Sequence, residues 1–147
     1  ETERIHLKYR PGPLSFTIGD FPVWLAAPFT VQRGPGIDMY IFTSGSEIED
    51  FVFQGGLYKI AAAAKNWALP DAARVIFAQC SDSGTSFQEI TNQQVNISSV
   101  LDTVNCSVAE MRSLVKPGNQ VLMSDFPGCG KCRNCRFEEL CKDYVER

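Results

Sequence analysis

The sequence predicts an α+β fold, and three observations carry that expectation. The first fifty residues are rich in Pro, Gly, aromatic and β-branched residues arranged in short runs; an alanine-rich stretch with helical spacing follows; and four of the six cysteines fall within thirteen residues near the C-terminal end. Short runs bounded by turn residues read as strands, and apolar residues recurring at three and four read as helices. The expected architecture is therefore a β-rich N-terminal third forming a small antiparallel or mixed sheet, a helical C-terminal half, and a metal-binding turn-helix at the end. Residues 1–126 are expected to form the α+β domain and residues 127–147 a four-cysteine segment packed on it.

In chain order, residues 4–9 alternate, residues 14–18 follow the turn Pro11-Gly12-Pro13, and residues 23–31 and 37–43 flank the turn Arg33-Gly34-Pro35-Gly36, which predicts four strands. Leu57, Ile60, Ala61 and Ala64 then keep helical spacing and predict a helix over 51–66 that Pro70 closes. Residues 73–78 read as a buried strand and 81–85 as the loop after it, so that strand, helix and strand form a crossover. Ile97, Val100, Leu101, Val104, Val108, Met111 and Val115 continue a helical stripe. A capping box, Ser107-Val108-Ala109-Glu110, lies in its middle and predicts two short helices meeting near Asn105. Pro117-Gly118-Asn119 ends that segment, and residues 120–123 can form one more strand.

A chain of 147 residues with 44% hydrophobic residues has the size of one domain and can bury a core without covalent staples. The net charge of −3 gives no global attraction toward nucleic acid or an anionic membrane. No apolar run approaches the roughly 20 residues of a membrane-spanning helix, and the longest, 21–29, is broken by Pro22 and Pro28. The even cysteine count, with Asn96-Ile97-Ser98 and Asn105-Cys106-Ser107 in the glycosylation pattern, makes a secreted disulfide protein one reading. Disulfide frameworks spread their cysteines over many loops, whereas here four crowd together; an intracellular or virion location is favoured over secretion. Cys80 and Cys106 read as small buried apolar residues, able to pair in an oxidising compartment.

The crowded cysteines form Cys129-x2-Cys132-x2-Cys135-x5-Cys141. Thiols three residues apart in a tight turn lie at chelating separation rather than in disulfide geometry. Lys131, Arg133, Arg136 and Lys142 favour the thiolate that a metal requires. Residues 136–145 read as a short helix with Phe137, Leu140, Cys141 and Tyr144 on one face, so the turn offers three sulfurs and the helix the fourth. The evenly spaced triple suits a [4Fe-4S] cluster, and zinc is the alternative for the same four ligands.

The ending Cys132-Arg133-Asn134-Cys135-Arg136-Phe137-Glu138-Glu139-Leu140-Cys141 resembles the Cys-x2-Cys-x5-Cys ending of iron-sulfur nucleases of the RecB-type PD-(D/E)xK superfamily. The resemblance implies a [4Fe-4S] cluster, although that family places its fourth cysteine far upstream and the nearest candidate here is Cys129. It also implies a Gly-x-x-Asp strand, an acid-x-Lys strand and Gln-x-x-x-Tyr on a helix. Gly36-Ile37-Asp38, Glu49-Asp50-Phe51-Val52 and Gln54-Gly55-Gly56-Leu57-Tyr58 stand in those places. Two acids would hold a divalent ion and the lysine would polarise water or phosphate, but Val52 occupies the lysine position. Without the resemblance, Asp38 reads as a turn residue, Asp50 as a helix cap, and Gln54 and Tyr58 as helical surface.

The cysteine spacing also resembles the zinc lobe of medium-chain alcohol dehydrogenases, but the last interval is shorter here and no dinucleotide-binding glycine motif accompanies it. A zinc deaminase is disfavoured because Cys80-Ser81-Asp82 is a poor first half of its signature. The single histidine, His6, has no nucleophile indicated beside it. The sequence thus points to a non-catalytic, metal-stabilised structural or interaction subunit of a larger assembly, a viral one included, with protein partners. The alternatives are a nuclease-like protein that binds or processes nucleic acid, and a secreted disulfide-bonded protein.

Overall fold

The computed structural model of the protein describes residues 7–9, 13–43 and 48–114. The chain divides into two compact units, residues 1–105 and 106–147; the boundary expected at 126 lies outside the described residues. The elements run β1 (Leu7–Tyr9), β2 (Leu14–Ile18), β3 (Phe21–Leu25), β4 (Phe29–Arg33), β5 (Gly36–Thr43), α1 (Ile48–Ala64), a 3-10 turn (Pro70–Ala72), β6 (Ala73–Ser81), β7 (Gly84–Ile90) and α2 (Ile97–Leu114). The fold is α+β, as expected.

Five strands form one mixed sheet in the order β1-β4-β5-β6-β7, and β2 and β3 form a separate hairpin. β5 and β6 are parallel neighbours, with Ile37 opposite Ala73 and Thr43 opposite Gln79, so α1 is the crossover between them. The other pairs are antiparallel. Tight turns set the antiparallel registers. Gly19 and Gly34 take φ of 61° and 53°, left-handed values that a glycine reaches without a Cβ clash, and Gln32 donates through Nε2 to the carbonyls of Gly34 and Gly36 across the β4–β5 turn.

Helix α1 is the centre of the core. Residues 55–59 are all buried, and at 100° per residue five consecutive positions cover every side of a helix. The helix packs on β6 and β7, on β2 of the hairpin and on the 3-10 turn. Phe51 stacks on Phe77 at 4.5 Å between ring centroids, and Leu14, Phe16 and Ile18 join the same apolar cluster from the hairpin. Two glycines permit the close approach. A Cβ on Gly55 would lie 2.9 Å from the Ile90 side chain, and one on Gly56 would lie 2.6 Å from a methyl of Val100. Glycine inside a helix usually weakens it, yet here both are contact surfaces for β7 and α2.

The helix runs Ile48–Ala64 rather than over 51–66, and it is Asn66 rather than Pro70 that closes it. Asn66 adopts φ of 55°, its N–H bonds to the Ala63 carbonyl at 3.0 Å and the Trp67 N–H bonds to Ala62 at 2.9 Å, a Schellman end in which Asn serves where Gly is commoner. The 23–31 strand is in fact two, β3 and β4, because Pro28 and the residues before it break the ladder. The segment expected as a loop at 81–85 is a two-residue turn followed by β7, whose mostly exposed side chains gave no apolar alternation, so the sheet extends beyond the first third. The two short helices are one, α2, capped by Asn96, whose Oδ1 accepts from the Ser99 N–H at 3.1 Å. Ser107 lies within α2, exposed, where a polar residue is tolerated, so the capping-box pattern marks no start. The strand expected at 120–123 lies outside the described residues.

Replacing Gly56 by Ala should destabilise the protein by about 1–3 kcal/mol through overpacking against Val100, outweighing a helix-propensity gain of about 1 kcal/mol. Chemical denaturation checks this, and the cost should shrink when Val100 is also Ala, since the double mutant removes the clash.

Candidate functional site

Alternation along the strands divides the five-stranded sheet into two faces. Ile37, Met39 and Ile41 of β5 and Ala73, Val75 and Phe77 of β6 belong to the core around α1. Their neighbours Asp38, Tyr40 and Phe42, and Arg74, Ile76 and Ala78, therefore project from the opposite face. Phe87 and Glu89 of β7 share that face, opposite Ala78 and Ile76.

Four charges run across this face, one from each of four adjacent strands and alternating in sign: Arg33 on β4, Asp38 on β5, Arg74 on β6 and Glu89 on β7. Asp38 is 1% exposed and accepts from Arg33 Nε at 2.6 Å and from Arg74 Nη1 at 3.4 Å. Arg74 also grips Glu89 bidentately through one edge of its guanidinium, Nε to Oε1 at 3.0 Å and Nη2 to Oε2 at 2.7 Å. That hydrogen bond holds the Glu89 carboxyl below its ordinary range and raises the Arg74 guanidinium. Beside the row lies a depression of about 450 Å³ lined by Tyr40, Arg74, Ile76, Phe87 and Glu89. Phe42 and Phe87 stand 56% and 65% exposed on the same face, and Phe42 meets Phe29 edge-on at 5.4 Å.

The residues matched to the nuclease pattern are not brought together. Asp38 is on a strand, not in a turn, and its carboxylate is already paired with two guanidinium groups. Asp50 falls in the first turn of α1 rather than on a strand or at the cap. Asp38 lies on β5, five residues before its end at Thr43, about 16 Å of strand. Val52 is half-buried and Gln54 exposed on α1. Tyr58 is not surface: it is 3% exposed and its hydroxyl donates to the Ala26 carbonyl at 2.9 Å. Burial pushes its phenol up to about 12.

One buried charge escaped the sequence reading. Lys59 is 2% exposed, and its Nζ donates to the carbonyls of Pro70 at 3.4 Å and Ala73, and to Asn92 Oδ1 at 2.6 Å. Burial lowers its ammonium pKa, partly offset by Asp71 and Glu89. Its only signal in the sequence is a lysine inside an apolar helix. Lys59 enters from the helix side of the sheet, bound to main-chain and amide oxygens, so it does not replace the lysine missing at Val52.

Cys129, Cys132, Cys135 and Cys141, like His6, lie outside the described residues. Among the described residues no three His, Cys, Asp or Glu side chains are grouped to hold a metal ion. Cys80 and Cys106 correct an expectation: both are exposed and free, Cys80 because it sits near the hairpin end of β6 on the uncovered face. No helix among the described residues is long and apolar enough to cross a membrane. No family model matches the chain, and neither the curated proteins nor the solved structures hold a match.

Chemically, the charge row has its acids and bases spent on one another, which suits holding strands or meeting a partner better than moving protons. Asp38→Asn should cost about 2–3 kcal/mol in urea unfolding, because two guanidinium groups lose a charged acceptor. Tyr58→Phe should lose about 1 kcal/mol at neutral pH for the unpaired Ala26 carbonyl. The phenol is raised from 10.0 to about 12 in the folded protein. Its share of stability is thus complete below pH 10 and is lost as pH rises to 12, so the variant's stability should fall less steeply over that window.

Proposed function

We propose that the protein is a non-catalytic structural or interaction subunit of a larger assembly. In this reading its C-terminal turn-helix, residues 127–147, is stabilised by a metal held by Cys129, Cys132, Cys135 and Cys141, as a [4Fe-4S] cluster or, on the same ligands, zinc. The observation that carries the non-catalytic part is the state of Asp38, sealed from water between Arg33 and Arg74. The metal part rests on the spacing of the four thiols and the cations between them. Four thiolates brought together without a cation would repel, so a bound metal contributes folding energy directly.

A nucleic-acid-binding reading is favoured by one feature, the exposed rings of Phe42 and Phe87 on the sheet face that carries Arg74, since aromatic rings on a sheet accept stacked bases. Retention of single-stranded DNA or RNA at low salt would support it, and absence of binding would remove it. The disulfide reading is separated by titrating thiols in denatured, unreduced protein.

For the metal, absorption and elemental analysis of fresh protein should give a brown sample with iron for the cluster or a colourless one with zinc. Chelation or cluster loss should lower Tm by about 10 °C or more. An unchanged melt would show that the metal is not structural, and magnesium-dependent nuclease activity would overturn the non-catalytic assignment.

A further inference from the structure

We infer that the outer edge of β7 is a self-pairing surface, through which two copies of the chain join their sheets antiparallel about a two-fold axis at Phe87. Among the described residues β7 ends the sheet, and no strand pairs with its outer edge. Sheet edges are normally blunted by brevity, lysine, proline or a bulge. The β1 edge has two of these devices, being three residues long and carrying Lys8. β7 has none: seven residues, GTSFQEI, keep an unbroken register with β6 from Ser81–Gly84 to Val75–Ile90.

The register fixes which backbone groups are offered. Asp82 and Ser83 form the turn closed by the Ser81–Gly84 pair. The residues bonded to β6 are therefore Gly84, Ser86, Gln88 and Ile90, and the N–H and C=O groups of Thr85, Phe87 and Glu89 point outward. In an antiparallel pair centred on Phe87, Phe87 faces the partner's Phe87 and Thr85 faces the partner's Glu89. All three outward residues of each strand are then used, and one N–H from each of three residues on two strands gives six hydrogen bonds. Registers shifted by one residue in either strand would face outward groups with inward ones.

The side chains agree with that register. The only charged residue of β7, Glu89, meets a threonine hydroxyl rather than a like charge, and Arg74 already balances its carboxylate. Phe87, 65% exposed in the single chain, is covered by its counterpart on the same face. Pairing consumes both β7 edges, and the short lysine-bearing β1 edge does not continue the sheet, so assembly closes at two.

Sedimentation equilibrium of the 147-residue chain over a wide concentration range tests this. The expected result is a mass rising to twice that of the monomer. Phe87→Lys, which sets two ammonium groups face to face at the axis, should stay monomeric, and so should Phe87→Pro, which removes an outward N–H without touching the β6 ladder. Phe42→Lys, exposed on the same face but off the edge, should still dimerise. Circular dichroism of each variant confirms that the sheet persists; if either Phe87 variant unfolds, Thr85→Pro at the next outward N–H takes its place and should also be monomeric. A chain that stays monomeric throughout overturns the inference, as does dimerisation undiminished by folded edge variants or abolished by Phe42→Lys.

Discussion

Helix α1 has no solvent side along its middle, and the rest of the fold is arranged around that constraint. A helix buried on one face can send its polar residues to water; one with residues 55–59 all buried cannot. Two of those five positions are glycine, where β7 and α2 come too close for a Cβ. Two others carry polar tips, and each finds a partner at a chain segment that must be pinned: the Tyr58 hydroxyl at Ala26 after the hairpin, and the Lys59 ammonium at the 3-10 turn, the start of β6 and Asn92. An unpaired ammonium there would cost several kcal/mol. With three acceptors it fastens the end of the crossover to the loop after β7, and Asn92 adds a bond of its own to the Asp71 carbonyl at 3.0 Å.

The same constraint decides what the two sheet faces can do. Covering the inner face leaves the outer face, among the described residues, with a mixture of charge and exposed aromatic surface. Its one buried carboxylate would be costly alone, and the two half-exposed guanidinium groups remove that cost without leaving water themselves. Both guanidinium contacts fall on the Asp38 Oδ2, so the same oxygen is shared between two cations from neighbouring strands.

Much of this was legible in the sequence wherever burial wrote a period into it. Strand Leu14–Ile18 alternates buried and exposed, and both its ends were read correctly; the parallel crossover followed from strand, alanine-rich helix and strand. What stayed hidden was set by tertiary context. β7 is an edge strand with a polar, exposed sequence, so it carries no alternation. The end of α1 is made by one Asn in the left-handed region, a choice that Pro70 masked. Cys80 looks apolar but lies at the exposed end of β6. The charge row could not be read because its members are scattered from 33 to 89 and meet only after the crossover sets β6 beside β5.

That row also bears on why one register is chosen. On the inner face, apolar packing rejects a slip of one residue, since it would turn the core residues of a strand outward. A slip of two residues preserves the face, and packing alone discriminates against it less. The outer face supplies the missing test: moving β6 two residues along β5 would set Ile76 in place of Arg74 opposite Asp38, leaving a carboxylate at 1% exposure with one cation in place of two. Moving β7 two residues along β6 so that Glu89 faced Ala78 would part Arg74 from Glu89 as well. Unpaired burial of this kind costs more than the roughly 0–1 kcal/mol that an exposed ion pair contributes. The alternating charges thus act chiefly against wrong pairings, and they do so on the face where the core cannot.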